Sequence, residues 1–243
     1  MAAAALAVAV AVAERMMTDR DLSCRSEQLY AMASARGIFI VLEGIDGSGT
    51  TTQLGRLATL LERHGRRVLA TREPSAGPAG RLLREILVGQ HKNPDGTPLD
   101  GRAMALLFAA DRRDHLVREI EPALARGTDV ISDRYLLSSL AYQALDADRV
   151  WVEHLAAGIR APDLTLLLDV PVAVAAERRR RAGRTVERFD ADELLGSVAE
   201  NYRRLASDRP NVAVVDGSLS AEEVTTAIAA IACGLPGLEG ITL

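Results

Sequence analysis

Apolar residues come in short blocks along this chain, and the blocks alternate between two periods. Ile38-Phe39-Ile40-Val41-Leu42 is apolar at every position and runs through Glu43 into a glycine-rich turn. That pattern predicts a strand buried on both faces of a parallel sheet. Leucines at 54, 57, 60 and 61 follow at helical spacing, and Gly65 is a natural stop, so a helix is expected over residues 51–64. Strand-like runs recur at 67–71, 129–132, 164–170 and 212–215. Helical patterns separate them at 81–88, 103–126, 136–144, 149–159, 172–181, 191–207 and 221–231. The long pattern at 103–126 contains Pro122, where a jog is expected. Residues 89–100 read as a polar loop. Strands alternating with helices imply right-handed crossovers and an α/β fold, a parallel sheet covered by helices on both faces.

Residues 1–36 do not join this pattern. The apolar run from Met1 to Ala13 is shorter than the roughly 20 residues that span a bilayer, and it lacks the basic start of a secretory signal. Residues 1–36 are expected to be a disordered or loosely helical extension. Residues 37–243 are then one domain, a length that buries a single substantial core.

Composition narrows the function classes. A net charge of -4 argues against a protein that coats nucleic acid, and no segment suggests a membrane. Cys24 and Cys233 stand far apart with no Cys/His cluster, so neither a zinc site nor a disulfide framework is indicated, and a reducing cytoplasm is the expected location. Lys92 is the sole lysine, which leaves cationic chemistry to arginine, whose planar fork binds phosphate bidentately.

The strongest chemical signal follows the first strand. Gly44-Ile45-Asp46-Gly47-Ser48-Gly49-Thr50-Thr51 matches the phosphate-loop pattern G-x-x-x-x-G-K-[ST] except that Thr50 stands where the lysine belongs. Glycines let backbone N–H groups turn inward around phosphate oxygens, and the helix that follows offers its positive end to the same anion. Thr51 holds the hydroxyl position that binds Mg²⁺ in such loops. The missing lysine removes a fixed charge beside the β- and γ-phosphates, so either other cations compensate or catalysis is impaired. Further on, Phe108 and Arg112 are four apart on one expected helix and share a face. Without other context they read as a core aromatic beside a surface arginine. Asp133-Arg134-Tyr135 closes a strand at the sheet edge where ligands bind, or forms a strand-terminal ion pair.

Five blocks together resemble the thymidylate kinase family, from about Ile38 to about Ile231. They are Phe39 to Gly49, Thr71-Arg72-Glu73-Pro74, Leu107 to Arg112, Asp133-Arg134-Tyr135, and Ser138-Ser139-Leu140-Ala141-Tyr142-Gln143. The resemblance implies a P-loop fold with a mobile arginine-rich lid, and transfer of the ATP γ-phosphoryl group to dTMP with Mg²⁺. It implies that residues 44–51 bind ATP and that Thr51 and Asp133 lie at the metal. Asp46, Glu73, Pro74, Arg84, Phe108, Arg112, Arg134, Ser139, Tyr142 and Gln143 would bind the acceptor. Phe108 would stack on the pyrimidine, Arg112 would bond its carbonyl, and Arg134 and Arg84 would hold the acceptor phosphate. The basic run from Glu177 to Arg188 resembles the lid, in which Arg178, Arg184 or Arg188 would stabilise the migrating group. Gly47 stands where some family members carry that arginine inside the loop. A homodimer is also implied. Two alternatives remain open at this point: a catalytically impaired nucleotide-binding regulator, supported by Thr50, and a kinase for another monophosphate or a nucleoside.

Overall fold

A computed structural model of the chain describes residues 36–183 and 192–241. The expected extension at 1–36, Arg36 apart, lies outside them, and Gly37–Leu243 forms one compact unit.

Five parallel strands make the sheet: β1 Phe39–Glu43, β2 Val68–Arg72, β3 Asp129–Asp133, β4 Leu164–Asp169 and β5 Val212–Asp216, in the order β2-β3-β1-β4-β5. All of β1 is buried, as its unbroken apolar run predicts. Its residues alternate between two cores. Ile38, Ile40 and Leu42 join Leu57 and Leu61 of α1 (Thr50–Arg63) and Ile228 of the last helix (Ala221–Ala232). Phe39 and Val41 face Leu116, Ile120 and Leu124 on the other side. Burying apolar area on both faces fixes the register, because a one-residue slip would exchange the two faces.

In that register Leu42 pairs with Asp133, Arg72 with Asp133, and Glu43 with Leu167. The carboxyl ends of β1, β2 and β3 therefore reach one edge together. Strand order reverses at β1, so the crevice beyond that edge is where the fold places a ligand.

The helices largely follow the sequence pattern, with two differences. The segment expected to be one helix over 103–126 is α3 (Gly101–His115), then a π-helical turn at Leu116–Ile120, then α4 (Glu121–Ala125). The widened turn immediately precedes Pro122, which has no N–H to give to a helical carbonyl. The helix expected over 149–159 stops at His154, and the chain then turns through Gly158 at φ 73°. The remaining helices near the site are α2 (Pro78–Leu87), α5 (Leu136–Tyr142), α7 (Val172–Ala182) and α8 (Asp192–Ser207), the sixth being the short Arg149–His154.

Leu166 is fully buried in β4, whereas Val214 of β5 is 53% exposed. Leu166→Ala is expected to cost about 3 kcal/mol in denaturant unfolding, and Val214→Ala much less. Equal effects would mean that the sheet is not the core.

Candidate active site

The edge of the sheet opens into a cleft of about 760 Å³ lined by residues from the glycine loop, the ends of β2 and β3, and helices α2, α3, α5 and α7. Five arginines (72, 84, 134, 178 and 179) line it against the carboxylates of Asp46, Glu73 and Asp133. That excess of fixed positive charge suits a phosphate ligand.

The glycine loop is shaped by backbone conformations open to few residues. Gly44 has φ 156°, and a Cβ there would lie 2.8 Å from the carbonyl oxygen of Leu168. Gly47 has φ 91°, and a Cβ there would lie 2.4 Å from the carbonyl oxygen of Ala175 in α7. Helix α7 thus rests directly on the loop, which leaves no room for a side chain at 47. Ser48 N donates to the Ile45 carbonyl at 2.9 Å, and Thr50 begins α1.

Thr51 and Asp133 meet behind the loop, where the Thr51 hydroxyl donates to Asp133 Oδ2 at 2.5 Å. Asp133 Oδ1 is buried and accepts no hydrogen bond. One carboxylate, one hydroxyl and no cluster of three acidic or imidazole groups among the described residues make a weak cage by themselves. They suit Mg²⁺, which is usually held by one or two carboxylates together with substrate phosphates and water.

Arg134 follows β3 with φ 73°, the left-handed region, and is the one non-glycine residue there among the described residues. Its N–H donates to the Leu42 carbonyl, and the Ser132 hydroxyl donates to the Arg134 carbonyl. The guanidinium donates to Ser138 Oγ at 3.1 Å, Tyr202 Oη at 3.3 Å and Asp46 Oδ1 at 3.1 Å, and it lies 5.3 Å from the Tyr142 ring. Burial works against its charge, and Tyr142, Asp46, Tyr202 and Asp133 more than offset that, so Arg134 is a permanent cation.

Beneath it lies a residue that the motif reading did not single out. Glu43 is fully buried at the end of β1. Its Oε1 accepts from the N–H groups of Tyr135 and Ser138, and its Oε2 from the hydroxyls of Ser138 and Tyr202. Because both hydroxyls donate to the carboxylate, their lone pairs remain to accept from Arg134. Burial pushes the Glu43 pKa up from its ordinary value, against the hydrogen bonds of Ser138 and Tyr202 and the charge of Arg134. Tyr202 sits 159 residues downstream of Glu43, so no local motif could have joined them.

The other expected acceptor-binding residues divide into two layers. Phe108, Arg84, Pro74, Tyr142 and Gln143 line the cleft, and Gln143 Oε1 is buried without a partner. Arg84 donates to the carbonyls of Pro74 and Ser75, both at 2.7 Å. Glu73 also reaches the cleft wall, but its carboxylate is engaged by Arg112 Nε at 2.9 Å and by His115 at 3.4 Å. Arg112 is 3% exposed and donates from Nη2 to Ser139 Oγ and the Tyr135 carbonyl. Arg112 and Ser139 therefore stand behind the wall, with Arg112 Nη1 uncommitted. Asp111 accepts from Ser75 N and Oγ and pins the 73–77 loop to α3.

From α7, Arg178 bridges the glycine loop at the Ser48 carbonyl (3.3 Å) to the Gly217 carbonyl (2.8 Å), which draws the 216–218 turn close. Arg179, which the motif reading also passed over, donates to the Asp46 carbonyl at 2.7 Å. Arg184 and Arg188 lie outside the described residues.

Residues 42–228 match the family model described as thymidylate kinase. The chain belongs to the thymidylate kinase family. It is 43% identical over 197 residues to the probable thymidylate kinase of Pyrococcus horikoshii, covering 81% of this chain and 96% of that protein. It is 41% identical over 203 residues to the thymidylate kinase of Afipia carboxidovorans (79% and 87% covered) and 42% over 199 residues to that of Thermomicrobium roseum (78% and 91%). The glycine loop, the Asp133-Arg134-Tyr135 turn and all of α7 fall inside the matched region. No described helix is long and apolar enough to cross a membrane.

The buried carboxylate yields a pH test. With a folded-state pKa raised above the ordinary 4.5, Glu43 contributes stability that is fully present below pH 4.5 and is lost as pH rises through the raised value. Glu43→Gln cannot titrate, so its stability in urea melts should fall less between pH 4.5 and neutrality than that of the parent chain. Parallel slopes for the two chains would contradict a raised Glu43 pKa.

Proposed function

We propose that this chain transfers the γ-phosphoryl group of ATP to dTMP, giving ADP and dTDP for dTTP synthesis. Family membership supports the reaction class. What supports the site assignment is a single cleft lined both by the glycine loop and by Arg84 and Arg134.

An oxygen of the acceptor phosphate attacks the γ-phosphorus as the bond to the ADP oxygen breaks in line. That oxygen is already an anion at neutral pH, so no strong general base is required. The loop N–H groups hold the donor phosphates. Arg134 holds the acceptor phosphate, kept in place by Ser138 and Tyr202 on Glu43, while Arg84 adds a second charge. Phe108 stacks on the pyrimidine, and Gln143 offers its unpartnered Oε1 to the base edge. Arg112, tied to Glu73 and Ser139 behind the wall, holds the Glu73 side of the acceptor pocket in place. Thr51 and Asp133 would hold Mg²⁺, which when bound neutralises charge on the β- and γ-phosphates. Arg178 belongs to the donor side, and the 216–218 turn it contacts lies near the adenine. A homodimer in the cytoplasm, with no nucleic-acid partner, completes the reading, supported by family membership and by the negative net charge.

A coupled assay with ATP, Mg²⁺ and dTMP should give steady ADP release, and dUMP, dCMP, dGMP and thymidine should be poorer acceptors. Arg134→Ala should lower kcat/KM for dTMP on the order of 10²-fold, the scale of a lost charge-assisted contact. Binding of ATP and dTMP without formation of dTDP would favour a regulatory protein instead.

A further inference from the structure

The glycine loop lacks its lysine, yet the site keeps five arginines. We propose that Arg179 of α7 supplies the positive charge beside the donor β- and γ-phosphates that Thr50 cannot. This rests on the assigned ATP-binding role of the loop and extends it to a residue outside the motif.

Helix α7 touches the glycine loop directly. Ala175 presses its carbonyl against Gly47, closer than any Cβ would permit. Positions three and four residues further along a helix share that face. Those positions are Arg178 and Arg179, and both line the cleft. Packing at Ala175 thus delivers two guanidinium groups to the loop as a consequence of helical geometry.

The two arginines go to different places. Arg178 reaches the carbonyls of Ser48, Gly217 and Leu219, away from the acceptor. Arg179 reaches the Asp46 carbonyl, while the Asp46 side chain accepts from Arg134. One loop residue therefore has a cation from α7 on its backbone and the acceptor-side arginine on its carboxylate. The transferring group must pass between the donor and acceptor phosphates, so Arg179 stands at the end of the loop where a charge acts on that group. A phosphate-loop lysine acts from within the loop, and here the same charge arrives from the helix above it. Thr50 itself is buried at the start of α1, its short side chain bearing no charge.

The test is a double-mutant cycle between positions 50 and 179, read both as turnover with dTMP and as calorimetric affinity for a non-hydrolysable ATP analogue. Arg179→Ala should lower kcat on the order of 10³-fold, the low end for a charge on the transferring group, and should weaken analogue binding. Thr50→Lys should recover at least about tenfold of the loss in the Arg179→Ala background, relative to its own effect on the parent, a coupling that independent sites would not show. Arg178→Ala serves as the comparison, and Thr50→Lys should not rescue it. Circular dichroism melts confirm that each variant is folded; Arg179 is only half-buried, and a variant that unfolds is replaced by Arg179→Gln in the same cycle. Additive effects of the two substitutions, or full activity in Arg179→Ala, would overturn the assignment. If the parent turns over no dTMP, the functional reading fails, while the affinity cycle with the analogue still decides where the charge comes from.

Discussion

A carboxylate with no contact with water holds this site together. Glu43 ends the central strand, and its four accepted hydrogen bonds tie that strand to the turn after β3, to α5 and to α8. An ionised group so buried is costly unless every lone pair is used, and here backbone N–H groups and hydroxyls use them. The same arrangement decides where Arg134 sits, because the hydroxyls that donate to Glu43 accept from Arg134. One hydrogen-bonded network thus runs from the buried end of β1 out to Arg134, which faces the cleft.

The site has a layered construction in which few cleft-facing groups stand alone. Behind Arg134 are Ser138 and Tyr202, and behind them is Glu43. Arg112 in turn is set by Glu73, Ser139 and the Tyr135 carbonyl, and the 73–77 loop is set by Asp111. Positioned charges stabilise a transferring phosphoryl group only if they are already in place, since reorienting them during the reaction would consume much of the benefit. Left-handed backbone at Arg134, an unfavourable conformation for any side chain with a Cβ, persists because bonds to Leu42 and Ser132 surround it.

Thr50 leaves the loop without a lysine, while arginines from several other elements line the same cleft. Arginine has the reach and the planar fork to arrive from another element, and α7 brings two of them onto the loop. Close packing of α7 at Gly47 also means that an arginine inside the loop and this helix placement are mutually exclusive.

Much of this was legible in the residues. The unbroken apolar run before Gly44 and the helical leucines after Thr51 specified strand, turn and helix, because burial on two faces and on one face leave different periods. Both departures in the helices came from backbone chemistry: the turn widened before Pro122, and the early stop beyond His154. The motifs and the family resemblance singled out the glycine loop, Arg134, Phe108 and Gln143, all of which the structure brings to one cleft. Glu43's partnership with Tyr202, the retreat of Arg112 and Ser139 behind the wall, and the delivery of Arg179 to Asp46 were decided only by the tertiary structure. Those contacts join residues tens to more than a hundred positions apart, and sheet order and helix packing, rather than local pattern, bring such groups within hydrogen-bond reach.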